Sequence, residues 1–158
     1  MPHIHERIDF TVEVFVVHDG EVLLRWHDKY GKWLSVGGHV ELDEDPNQAA
    51  YREVQEETGL EINLLDDLKP RFSPRDGYEE LIPPVFLNRN RINEHHEHIT
   101  LTYFATSESK VINPDEGEKK TDYLWLSRKE IEEMIGIDEE IRFYALTALE
   151  AVRRRSIA

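Results

Sequence analysis

The stretch that decides the reading is Gly38-His39-Val40-Glu41-Leu42-Asp43-Glu44-Asp45-Pro46-Asn47-Gln48-Ala49-Ala50-Tyr51-Arg52-Glu53-Val54-Gln55-Glu56-Glu57-Thr58-Gly59-Leu60. Its middle predicts a helix with marked ends. Asp45 serves as the cap, Pro46 suits the first turn, Gln48 stands at the capping-box position and Gly59 is a left-handed stop after Thr58. On that helix Glu53, Glu56 and Glu57 fall at i, i+3 and i+4, so three carboxylates share one face. Like charges at this spacing destabilise a helix by roughly 0.2–0.5 kcal/mol per pair. Stability does not ask for the cluster, whereas a divalent cation turns its repulsion into attraction, and oxygen-only ligands suit magnesium or manganese. A solvated acidic helix in an acidic protein is the competing reading, and the triad alone does not separate the two.

The surroundings favour a ligand. Ala49 and Ala50 leave room one turn earlier. Gly37 and Gly38 let backbone come close to a bound group, and the Gly37 carbonyl offers another oxygen. Arg52 is a fixed cation able to grip a carboxylate with two parallel bonds, and Glu44 is its candidate partner.

Outward from this segment, Phe10 to Val17 is apolar and β-branched and reads as a strand buried on both faces. Asp19-Gly20 is a hairpin signal leading to a second strand, Val22 to Trp26. Trp33 to Val36 reads as a short strand entering the glycines. Further strands are expected at Glu61 to Leu65, Ile99 to Thr106 and Tyr123 to Leu126. Ser127-Arg128-Lys129-Glu130 opens a helix to about Ile135. Asp138 starts a last helix, with Glu139 and Glu140 first and Arg153, Arg154 and Arg155 near its end, where each sign complements the helix dipole. Few helices among many strands predict an α/β fold with a mixed sheet. The segment from Lys69 to Glu97, with Pro70, Pro74, Pro83 and Pro84, has no readable element.

A chain of 158 residues with 39% hydrophobic residues predicts one domain, 1–158, around a single core. No cysteine is present, which excludes disulfides, thiolate zinc sites and a cysteine nucleophile. A net charge of −14 disfavours nucleic acid as a partner. No apolar run approaches the ~20 residues that cross a bilayer. Met1-Pro2-His3-Ile4-His5-Glu6-Arg7 lacks the apolar centre of a signal peptide, so a cytoplasmic location is expected. A homodimer is compatible with the sequence.

The quoted segment resembles the Nudix box, G-x5-E-x7-R-E-U-x-E-E-x-G-U with U a bulky aliphatic residue. All nine specified positions agree: Gly38, Glu44, Arg52, Glu53, Val54, Glu56, Glu57, Gly59 and Leu60. A chance match is on the order of one in a million. The resemblance implies an α/β/α sandwich around the mixed sheet. It further implies a divalent-metal-dependent pyrophosphohydrolase (Mg2+, with Mn2+ as alternative) cleaving the diphosphate linkage of a nucleoside diphosphate joined to another group, as in clearing a damaged or surplus nucleotide.

Carried over by position, Glu53, Glu56 and Glu57 look like metal ligands, joined by the Gly37 carbonyl and by Glu118 from the loop before the Tyr123 strand, with Glu116 as alternative. Glu53 is the first choice for activating water and Glu57 the second, with Arg52 as support. Arg25, which ends a strand facing the box, Gly38 and His39 are the candidate substrate contacts. Trp33, Tyr78 and Tyr123 are candidates to stack a base, though packing explains each singly. The cluster Glu94-His95-His96-Glu97-His98 lacks a recognised zinc spacing and reads as a polar edge.

Two features depart from well-studied branches. Val36 stands where many members carry proline, and the added signatures of coenzyme A or NADH pyrophosphatases are missing. A non-catalytic Nudix-fold nucleotide sensor is the alternative reading. It is disfavoured because such modules lose box carboxylates, and the isopentenyl-diphosphate isomerase type is disfavoured by the missing cysteine.

Overall fold

A computed structural model describes residues 6–158. The reading of the leader region at residues 1–5 lies outside the described residues. The chain forms β1 (Ile8–His18), β2 (Glu21–His27), β3 (Lys32–Leu34), β4 (Val36–His39), α1 (Pro46–Thr58) and β5 (Ile62–Leu64). After a long connection follow β6 (Phe86–Arg91), β7 (Glu97–Ser107), β8 (Tyr123–Ser127), α2 (Arg128–Glu133) and α3 (Glu139–Ser156).

The sheet is mixed, as the sequence predicts. β1 and β7 run parallel at its centre, in register from Ile8 beside Glu97 to Val17 beside Thr106, and every other pairing is antiparallel. The free edge of β1 forks. Its end at Val17 and His18 pairs with β2, while Thr11 to Val14 pair with β4. The expected strand from Trp33 to Val36 is therefore two strands that break at Ser35, β3 staying with β2 and β4 crossing to β1.

Strand alternation explains the apolar run in β1. Val12, Val14 and Val16 turn toward α1 and meet Val36, Ala50, Val54 and Tyr103. Phe15 and Val17 turn the other way and meet Phe104, Ile141, Ala145 and Leu149 beneath α3. Both faces of the sheet are covered, which makes the α/β/α layering. Phe10, half exposed, is the exception to the expected two-sided burial.

The caps behave as the sequence requires. Asp45 accepts from the Gln48 amide while the Gln48 side chain accepts from Asp45 N–H, and Gly59, at φ 71°, closes α1 by donating to the Gln55 carbonyl. The Ser127–Glu130 box opens α2, which stops at Glu133, two residues before the expected end. No helix among the described residues is long and apolar enough to cross a membrane.

Candidate active site

Helix α1 carries the site because one of its faces must be apolar and the adjoining one is not. Ala49, Ala50 and Val54 are buried against the sheet, and Glu57 is buried with them. Glu57 lies at the fork of β1. Its Oε2 accepts from the Gly37 amide at 3.1 Å, and its Oε1 accepts from Arg25 Nη1 across from β2. Burial pushes the Glu57 carboxyl up to about 7, against the opposing pull of Arg25 and the Gly37 amide. Burial also raises Glu53, and the charges of Glu56 and Glu118 add to the effect.

The glycines are there for space. A Cβ on Gly37 would lie 2.0 Å from the Val12 carbonyl oxygen, and one on Gly38 would lie 2.4 Å from Glu53 Oε1. The Glu53 carboxylate thus rests on bare backbone at Gly38. This cradle, the oxygen-only donor set and the mutual repulsion of crowded carboxylates fit a hard divalent cation.

Arg52 is the other organiser. Its Nε and Nη2 donate to the two oxygens of Glu44 at 3.0 and 2.7 Å, as the sequence suggests. Nη2 also donates to the His39 carbonyl at 2.9 Å, and Nη1 donates to Glu53 and Glu56 at 2.9 and 3.1 Å. Glu44 is held below the usual carboxylate range by Arg52, and Arg52 is correspondingly raised.

The loop before β8 docks on the end of α1, with Asn113 N–H donating to Thr58 O and Asp115 N–H to Glu56 O. It brings Glu118 close enough for its charge to raise both Glu53 and Glu57.

Other candidates sit elsewhere. Arg25 is in the cluster, but as the ion-pair partner of Glu57. His39 follows Gly38 on β4, so its side chain stands on the sheet face opposite Glu53, beside Asp9 and His98. Trp33 packs edge-on against Trp26, Tyr123 donates its hydroxyl to the Glu57 carbonyl, and exposed Tyr78 lies under the Arg75 guanidinium. Sequence reasoning missed the pairing of Arg25 with Glu57. Arg25 lies where β2, paired with β1 only through Glu21 and Val22, has diverged from it, and no local signal marks that.

Comparison with known proteins decides the family. A profile of the NUDIX domain matches residues 9–154. The chain belongs to the Nudix hydrolases. A NUDIX-family hydrolase from Clostridium perfringens superposes with a TM-score of 0.78 at 34% identity, covering 91% of this chain and 97% of that one. The m7GpppN-mRNA hydrolase NUDT17 of Xenopus laevis is 29% identical over 116 residues, 73% of this chain and 34% of that protein. The CTP pyrophosphohydrolase of Escherichia coli is 38% identical over 58 residues, 34% of this chain and 43% of its own. The chain spans between 28% and 43% of the length of the curated relatives it matches.

Proposed function

We propose that this Nudix hydrolase is a divalent-metal-dependent pyrophosphohydrolase acting on a small nucleotide-type substrate. The observation that carries the reading is the packing of half-buried Glu53 against bare backbone at Gly38 beside buried Glu57, which accepts from the Gly37 amide, with the charge of Glu118 raising both. Glu53, Glu56, Glu57, the Gly37 carbonyl and Glu118 would hold the cation, magnesium by its preference for oxygen. When bound, such a cation neutralises diphosphate charge and lowers the pKa of water.

The remaining work belongs to side chains of this chain. Glu53 takes the proton of the attacking water, because Arg52 engages only its Oε1 whereas both Glu57 oxygens are engaged, by Arg25 and the Gly37 amide. Glu57 is the second candidate. Arg52 holds Glu53 and Glu56 in register with the loop through Glu44. Arg25 holds Glu57 by its ion pair and would be the candidate phosphate contact with a cation bound. Attack on phosphorus breaks the anhydride bridge, the water oxygen ends on one phosphate and the other departs as leaving group.

Two relatives, one hydrolysing the m7GpppN cap of mRNA and one named for CTP, share a phosphoanhydride in their substrates. The net charge of −14 favours a small substrate over a nucleic acid. A panel of nucleoside triphosphates, sugar nucleotides, ADP-ribose and dinucleoside polyphosphates, assayed with magnesium, tests the proposal. Cleavage of at least one supports it; none cleaved refutes it.

A further inference from the structure

A second cluster of ligating side chains lies on the sheet face turned away from the α1 carboxylates. Register builds it. Asp9 on β1 pairs with His98 on β7, and Thr11 pairs with His39 on β4, so Asp9, His98 and His39 stand on one face within a residue or two of one another. The turn between β6 and β7 adds His96. Asp9 and His96 are 1% and 4% exposed and His39 and His98 are half-buried, so the group reaches from the surface into the interior.

One ligand atom from each of Asp9, His39 and His98 falls within 4.8 Å of the others. Asp9 Oδ2 lies 3.4 Å from His39 Nε2, while His96 Nε2 stands 3.3 Å from the same oxygen as its ion-pair partner. Two ligands on a tetrahedral ion with bonds of about 2.0–2.1 Å stand about 3.3–3.4 Å apart. The imidazoles meet edge to face, His39 with His98 at 4.8 Å between centroids and His96 with His98 at 5.2 Å, so the rings pack closely without stacking.

We propose that Asp9, His39 and His98 bind one divalent transition-metal ion of the zinc class, with His96 steadying Asp9 from the side. Imidazole and carboxylate together suit zinc, cobalt or nickel, while magnesium avoids imidazole. The ion would tie β1, β4 and β7 together just before the Nudix helix. It would also fix the backbone of His39, whose carbonyl accepts from Arg52. The site is separate from the α1 carboxylates and does not depend on the reaction proposed for them.

The test is zinc titration of the metal-stripped full chain by calorimetry with magnesium in excess, which keeps the α1 carboxylates occupied. One equivalent should bind with a Kd of about 10 µM or tighter. Asp9→Asn and His98→Ala should each weaken it by at least about tenfold, while exposed His95→Ala and Glu56→Gln should leave it unchanged. No saturable binding, binding indifferent to His98→Ala, or binding lost in Glu56→Gln would overturn the proposal. Should the buried variants fail to fold, cobalt added to the wild-type chain decides. Intense visible absorption of a tetrahedral site with nitrogen ligands supports the assignment, and the weak spectrum of an octahedral oxygen site refutes it.

Discussion

Arg52 grips Glu44 through two parallel hydrogen bonds, Nε to Oε2 at 3.0 Å and Nη2 to Oε1 at 2.7 Å. Glu44 in turn accepts from the Glu41 amide at 2.7 Å, so the fork fastens the loop to the helix that carries the carboxylates. Lysine retains the charge but not the fork. Arg52→Lys should therefore lower stability by roughly 1–3 kcal/mol and turnover by at least about tenfold. A thermal melt and a rate at saturating magnesium check both, and wild-type values in each would contradict the role.

Gly38 gives a sharper test of geometry. The nearest atoms a Cβ there would meet are the end of the Glu53 side chain, which can swing away, so Gly38→Ala should fold with a loss within about 1 kcal/mol. The displaced carboxylate should still cost at least about tenfold in turnover. Normal turnover in a folded Gly38→Ala chain would show that the position of Glu53 is not critical.

Glu57 makes a pH prediction. Its carboxyl titrates at about 7 in the fold without metal, against an unfolded glutamate near 4.3–4.5. Below the unfolded value both states hold the proton. Between the two values only the folded state does, so stability falls as pH rises from about 4.5 to about 7 and stays lower above. The loss is on the order of 3 kcal/mol. In metal-free protein, Glu57→Gln should lack this slope, and chemical denaturation across the pH range measures it. Because the proton and magnesium compete for the same carboxylate, the magnesium needed for half-maximal rate should rise as pH drops below about 7. Parallel pH profiles for variant and wild type would refute the assignment.

Glu118 and Glu116 separate two loop candidates. Glu118→Gln should raise the magnesium required for half-maximal rate by at least about threefold, with a melt within about ±0.5 kcal/mol of wild type. Glu116→Gln should change neither. An effect confined to Glu116→Gln would mean that the wrong residue of the loop had been chosen, and no effect in either would remove the loop from the metal shell.

The parts that were legible in the sequence are those whose cause is local. The Asp45–Gln48 box, the Gly59 stop and the Asp19-Gly20 turn each depend on a few adjacent residues, and all three form. Strand β6 was invisible because it is an outer strand with mostly exposed side chains, Phe86-Leu87-Asn88-Arg89-Asn90-Arg91, held by backbone pairing to β7. Arg52 and Glu44 could be matched from the motif, eight residues apart. Arg25 with Glu57, 32 residues apart, and Asp9 with His98 needed the register of the sheet. The histidines from His95 to His98 read as a polar edge because strand ends disguise inward side chains; His95 is exposed and His96 buried.

The central claim is that phosphoanhydride cleavage takes place on a cation held by the α1 carboxylates. The most direct measurement is the rate of hydrolysis of the best substrate by metal-stripped protein as magnesium is added, for wild type beside Glu53→Gln, Glu56→Gln and Glu57→Gln. No turnover is expected without the cation, with saturable activation in wild type and a loss of at least about tenfold in each variant. Hydrolysis that persists without divalent metal, or near-normal rates in all three variants, would contradict it.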